Sequence, residues 1–312
     1  MQYRITHTTT YKYSQPVELS SHIVRLRPRC DVAQKLLSFD VEITPTPVGA
    51  YKSVEIDGNA NYKYQFEGKT ELLRFQVTSG VETQRSNPFN FMLDAYAVEL
   101  PIDYPSSILN ALQPYLWRHG VSTSIDAIAT QLAQEIYLAS NANVVTFLSE
   151  LNVKINSSCE YVIRETGSPL PAGVTWSQKV GSCRDFAVLF IECCRAVGLA
   201  ARFVSGYHEG DPDEPEQHLH AWAEVYLPGA GWRGYDPTLG ISVADQHIAL
   251  VASATPALAA PITGRLKTPN VQSQMHYDLT IERIEQIQQS QSGMQQQLPG
   301  MQQQFGSQQQ QQ

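Results

Sequence analysis

The sequence predicts an α+β protein with a β-sandwich over residues 1–104, a helical segment and mixed core over 105–285, and a disordered glutamine-rich tail over 286–312. Three observations carry that expectation. Apolar residues recur at every second position early in the chain, and beyond a run of prolines the spacing changes to three and four. A capped amphipathic helix then leads into three aromatic, strand-like segments.

The sandwich rests on alternation. Tyr3, Ile5, His7 and Thr9 interleave with Gln2, Arg4, Thr6 and Thr8. Further strand-like runs follow at Leu37–Ile43, Tyr51–Ile56, Ala60–Phe66 and Glu71–Ser79. They are separated by Thr44-Pro45-Thr46-Pro47, Asp57-Gly58-Asn59 and Glu67-Gly68-Lys69. His7 and His22 read as ordinary strand residues, and nothing in this part has catalytic spacing. Asn87-Pro88, Leu100-Pro101 and Tyr104-Pro105 mark the exit from the domain.

Helical spacing begins at Ser106, with Ile108, Leu109, Leu112, Tyr115 and Leu116. It resumes at Ile125, Ile128, Leu132, Ile136 and Tyr137, where Ser124 reads as the cap. A third helical stretch covers Asn143 to Ile163, and Gly167-Ser168-Pro169-Leu170-Pro171 reads as a loop. The tail from Gln286 has too little apolar material to offset the entropy of ordering it.

Composition narrows the function. The chain has 312 residues, 42% apolar and 17% charged, as a globular protein does. A net charge of −8 argues against nucleic-acid binding, which calls for a basic stripe. No run approaches a membrane span or a secretory core. The five cysteines show no zinc spacing, and their odd number suggests free thiols in the cytoplasm.

The chemistry concentrates around Gly181-Ser182-Cys183-Arg184-Asp185. Phe186, Leu189, Phe190, Cys193, Cys194 and Val197 form one apolar stripe behind it, and Gly198 stops the helix. Ser182 and Asp185 have capping-box spacing, so Asp185 reads as a cap rather than an acid catalyst. Cys183 then sits in the first turn, where unpaired backbone N–H groups and the positive end of the dipole favour thiolate. On the strands that follow, His220 shares a face with Trp222, and Asp236 shares one with Trp232 and Gly234. Neighbouring antiparallel strands can therefore set Asp236 beside His220, giving a nucleophile, a base and an orienting carboxylate: Cys183, His220 and Asp236.

Other residues read less sharply. Cys193 and Cys194 fill the stripe, His218 lies at a rim, and Trp176 and Gln178 pack or contact a loop. Grouping His208 with His218 and His220 would suggest zinc, but the irregular acidic sequence between them argues against it; no metal and no cofactor are expected. The acidic run from Glu209 to Glu216 is a solvated loop, a calcium site without EF-hand spacing, or a lure for basic substrates.

Three segments together resemble a known family. Gly181-Ser182-Cys183-Arg184-Asp185-Phe186-Ala187, His220-Ala221-Trp222-Ala223-Glu224-Val225 and Gly231-Trp232-Arg233-Gly234-Tyr235-Asp236-Pro237-Thr238 are similar to the core motifs of the transglutaminase-like superfamily. Tyr3 to Ser14 and Leu26-Arg27-Pro28-Arg29 resemble the N-terminal domain of its bacterial members. The resemblance covers residues 1 to 285. It implies a papain-like core behind the sandwich, with Cys183, His220 and Asp236 as the triad. Three functions stay open: hydrolysis of a peptide or amide through a thioester, transfer of the same acyl group to an amine acceptor, and a non-catalytic binding module.

Overall fold

The computed structural model describes residues 1–117, 125–164, 166–210 and 217–284. The glutamine-rich tail, Ser124 and most of the acidic run from Glu209 to Glu216 lie outside the described residues. The molecule is α+β. Its first part supplies β1 (Gln2–Glu18), β2 (His22–Val24), β3 (Gln34–Thr44), β4 (Gly49–Val54), β5 (Ala60–Gln65) and β6 (Lys69–Thr83). Three helices follow, α1 (Ser106–Leu116), α2 (Ala127–Ala139) and α3 (Val144–Ser158). The core continues with β7 (Glu160–Tyr161), α4 (Ala172–Gln178), β8 (Val180–Gly181), α5 (Cys183–Ala196), β9 (Ala201–His208), β10 (Leu219–Leu227), β11 (Gly231–Asp236), β12 (Ile241–Ser242) and β13 (His247–Ser253). The chain closes with β14 (Ile262–Thr263) and β15 (Ser273–Arg283).

The sandwich is two four-stranded sheets, ordered β15-β1-β6-β3 and β14-β2-β5-β4. Tyr64 meets Phe75 across them at 6.4 Å between ring centroids, and Phe39 meets Tyr62 at 5.4 Å. One expectation needs correcting here. Residues 262–283, grouped by sequence with the core, belong to the sandwich, because β15 pairs antiparallel along β1 from Tyr3↔Arg283 to Tyr13↔Ser273. Local alternation marks such a stretch as a strand but carries no record of its distant partner.

The core is a five-stranded sheet, β12-β11-β10-β9-β13, with α5 packed against it. Phe190 of α5 stacks on Tyr235 of β11, and the thiol of Cys193 donates to the Ala129 carbonyl of α2 at 3.3 Å. Phe186, Leu189 and Phe190 are fully buried, each contributing about 2–3 kcal/mol of burial. Two local readings shift, a helix cap and a helix end. Asp126, not Ser124, caps α2 through Ile128 and Ala129 N–H groups. The third helix ends at Ser158 rather than Ile163.

What joins the two halves is specific. β13 is an edge strand of the core sheet, and two buried amides of the sandwich seal that edge. Gln34 donates to the Ala249 carbonyl at 2.9 Å and accepts from the Ala249 N–H at 2.7 Å. Asn59 does the same at Ala252, at 2.8 and 2.9 Å. Each side chain thus serves as one rung of a missing strand. We expect Asn59→Ala to leave the Ala252 groups unpaired and to cost about 2–4 kcal/mol, read from the urea midpoint at unchanged slope. An unshifted midpoint would show that water replaces the amide freely.

Candidate active site

Cys183 opens α5, and the local sequence explains why the helix starts there. The Asp185 carboxylate is buried and accepts from the Ser182 N–H at 2.8 Å and the Ser182 hydroxyl at 2.7 Å. Its other oxygen accepts from the Leu170 N–H at 2.7 Å and from Arg164 at 2.6 Å. Asp185 therefore caps the helix, as its spacing suggested, and also ties the preceding loop to it. The N–H of Cys183 lies in the first turn, where no intrahelical acceptor exists, so it can serve an oxyanion.

Strand register assembles the other partners. His220 of β10 faces Gly206 of β9, and His208 of β9 faces His247 of β13. Continuing the β10–β11 register beyond Ala223↔Tyr235 sets Asp236 opposite Trp222. By alternation, His208, His220, Trp222, Asp236 and His247 share one sheet face. The His220 Nε2–H donates to Asp236 Oδ2 at 2.6 Å, which leaves Nδ1 for the thiol. Cys183 and His220 line the same cavity, of about 460 Å³.

The electrostatics follow from this packing. Burial alone would pull the His220 imidazolium down, but the Asp236 charge and hydrogen bond, joined by Cys183, outweigh it and push its pKa up to about 10. Asp236 is completely buried, which by itself would raise its pKa. The two histidines bonded to it reverse that and hold it well below the usual carboxylate range. Its Oδ1 accepts from the Thr238 and Leu239 N–H groups at 2.9 and 3.3 Å.

The sequence signalled only part of this site. His247 donates from Nε2 to Asp236 Oδ2 at 3.0 Å, although it sits in an apolar strand with no motif around it. A second cavity of about 260 Å³ also borders Cys183. The sandwich supplies one wall of it through His7, Tyr11 and Tyr277, and Tyr161, Arg184 and His218 complete it. His7 is thus more than a strand residue: it bonds the Tyr207 hydroxyl of the core at 2.9 Å. Trp176 and Gln178 line neither cavity, and Trp176 is covered by Lys179. His218 bonds the Tyr277 hydroxyl. Ligand atoms of His220, Asp236 and His247 lie within 4.8 Å of one another, but the Asp236 oxygen among them already accepts both imidazole N–H groups.

Two measurements check the site. Cys183 should be the first cysteine alkylated by iodoacetamide, with Cys193 and Cys194 silent, because burial pushes both of those thiols far above the ordinary range. Equal labelling of every cysteine would remove Cys183 from its role. The second concerns acid. Burial pulls His7 down to about 4 and His208 to about 3, against 6.5 in the unfolded chain. The unfolded chain therefore takes up these protons first. The contribution of these two rings to stability is complete above about pH 6.5 and is lost on acidification toward pH 4, by up to about 1.4 kcal/mol per pH unit for His7. The decline should be shallower in His7→Gln, and an identical slope would contradict the assignment.

Known proteins share the two regions of this chain. Residues 3–82 match the bacterial transglutaminase-like N-terminal region, and residues 130–237 match the transglutaminase-like superfamily. An uncharacterized protein of Mycobacterium tuberculosis is 28% identical over 285 residues, 86% of this chain and 88% of that one. A protein-glutamine gamma-glutamyltransferase of Pseudomonas aeruginosa is 33% identical over 69 residues, 20% of this chain and 10% of that one. The crystal structure of a "Putative Cysteine Protease" from Cytophaga hutchinsonii aligns with a TM-score of 0.68 and 22% identity, over 91% of this chain and 92% of that one. That structure shares the fold along nearly the whole length. With residues 3–82 and 130–237 each matched, the chain belongs to the transglutaminase-like superfamily.

Proposed function

We propose that the protein is a thiol-dependent acyl-transfer enzyme that cleaves peptide or amide bonds through a Cys183 thioester, most simply a cysteine protease or amidase. The observation that supports it best is the His220–Asp236 bond through Nε2, which aims Nδ1 at the cavity shared with Cys183. The Cys183 thiolate attacks the carbonyl carbon, and the first-turn N–H receives the oxyanion. His220 gives its Nδ1 proton to the departing nitrogen as the C–N bond breaks. Neutral His220 then takes a proton from water as the new C–O bond forms. The C–S bond breaks, and the thiolate–imidazolium pair is restored.

His220 lines the larger cavity and not the smaller one. The proton donor must lie beside the leaving nitrogen, so the amine leaves through the larger cavity and the acyl portion rests in the smaller. Phe203, Leu219, Ala221 and Pro256 make the larger cavity apolar, which also suits an alkyl amine as the second acceptor. That supports transamidation as the alternative outcome of the same acyl-enzyme. Among the described residues no helix is long and apolar enough to cross a membrane. The five cysteines are free, in keeping with a reducing cytoplasm.

Mass spectrometry of Cys183 after exposure to candidate peptides, with and without an added amine, separates these outcomes. A thioester lost to water alone indicates hydrolysis, a product carrying the amine indicates transfer, and no adduct at all refutes the proposal. His220→Ala should abolish turnover. Asp236→Asn sets an amide N–H₂ against either the two imidazole donors or the two backbone donors, so it should lower stability as well as activity. Loss of the orienting carboxylate from a serine triad costs about 10⁴ in turnover. The loss should be smaller here, because a cysteine nucleophile can already be ionised by its histidine.

A further inference from the structure

We propose that His247 is a positioning residue for the catalytic pair, acting through the Asp236 oxygen that it shares with His220. This rests on the acyl-transfer reading and adds a residue that the triad alone does not require. Asp236 Oδ2 receives two imidazole N–H groups, from His220 at 2.6 Å and from His247 at 3.0 Å. Oδ1 is held by two backbone N–H groups. The carboxylate is therefore fixed at both oxygens, and its charge is divided between two rings.

Hydrogen-bond logic sets the tautomers along this row. An ionised Asp236 only accepts, so His247 carries its proton on Nε2, and burial keeps that ring neutral. Its Nδ1 is then a bare acceptor, buried and without a hydrogen-bond partner. His208 is the converse case. Its Nδ1 accepts from the Gly210 N–H at 3.0 Å, so its proton is on Nε2, which is likewise buried and unpartnered. The two rings lie 4.6 Å apart at 63°. A small rotation would let His208 Nε2–H donate to His247 Nδ1, polarising the His247 N–H further toward Asp236. Trp222, whose Nε1–H is also unpartnered, packs edge-on against His247 at 5.2 Å and is the competing donor.

The groups acting on His247 are His208 from β9, His220 from β10, Asp236 from β11 and Asp245 from its own approach. Of the two negative charges, only Asp236 also bonds His220. Removing the His247 N–H leaves Asp236 to His220 alone. The imidazolium becomes harder to deprotonate, a tighter partner for thiolate and a poorer acid for the leaving amine.

The pH profile of Cys183 alkylation by iodoacetamide reads this without knowledge of the substrate. In the wild type, alkylation rises on the alkaline side as His220 loses its proton. His247→Phe and His247→Asn, the latter too short to reach Asp236, should move that rise to higher pH. His247→Gln keeps a donor at the Nε2 position and should stay near the wild type. On a substrate, once one is in hand, the Phe and Asn variants should lose about ten- to a hundredfold in turnover with little change in KM. If Phe does not fold, Asn decides. Unmoved profiles in the Phe and Asn variants, or a Gln variant shifted as far as they are, would overturn the proposal. So would a chelator that shifts the wild-type profile, since that would assign the cluster to a metal ion. Failure here is distinguishable from failure of the acyl-transfer reading. If His220→Ala and Cys183→Ala are inactive while the His247 variants are normal, only His247 has been misassigned.

Discussion

A single buried carboxylate organises the active end of this molecule. Asp236 is fully inaccessible, and an ionised group in that setting is tolerated only if its lone pairs are engaged. Two backbone N–H groups after β11 and two imidazoles from β10 and β13 meet that demand. These contacts link three strands of one sheet through one side chain. The orientation of His220 is thus a consequence of satisfying Asp236, as much as the reverse. The same charge holds His220 protonated where burial alone would discharge it.

A second buried carboxylate does the matching work on the nucleophile. Asp185 is the helix cap that the sequence announces, but it is also the anchor for Arg164 and the Leu170 N–H. The loop entering α5 is held by the residue that starts the helix. Cys183 is consequently presented by two constraints, a capped helix below and a tethered loop above. The proposed catalytic residues lie on α5, β10 and β11, and their spacing is set by backbone elements rather than by loops.

The sandwich is more than an appendage. β1 and β15 wall one of the two cavities at Cys183, and Gln34 and Asn59 lock the sandwich onto β13, the strand that begins with His247. The seal on β13 therefore lies a few residues from the ring that completes Asp236. A core sheet with a bare β13 edge would expose the backbone groups that Ala249 and Ala252 now give to these amides. The cavity beside Cys183 and the edge of the core sheet both depend on the contact between sandwich and core.

Much of this was legible in the chain because it is written in local periodicity. The early strands, the apolar stripe of α5 and its capping pair depend on residues within a few positions of each other, and alternation within two neighbouring strands sets His220 and Asp236 on one sheet face. Ser182 and Asp185, three apart, state where the helix begins whatever surrounds it. Other features depend on partners far along the chain, and no local pattern encodes those. The return of residues 262–283 to the sandwich pairs Tyr3 with Arg283. His7 meets Tyr207 across two hundred positions. His247 looks like any histidine in an apolar strand until the register of β13 on β9 sets it beside His208 and Asp236. The sequence by itself determined the elements and singled out a candidate nucleophile with two candidate partners, because alternation and capping are short-range. Only the tertiary structure decided which domain owns the last strand, who walls the cleft and who shares the buried carboxylate, because those follow from long-range register and burial.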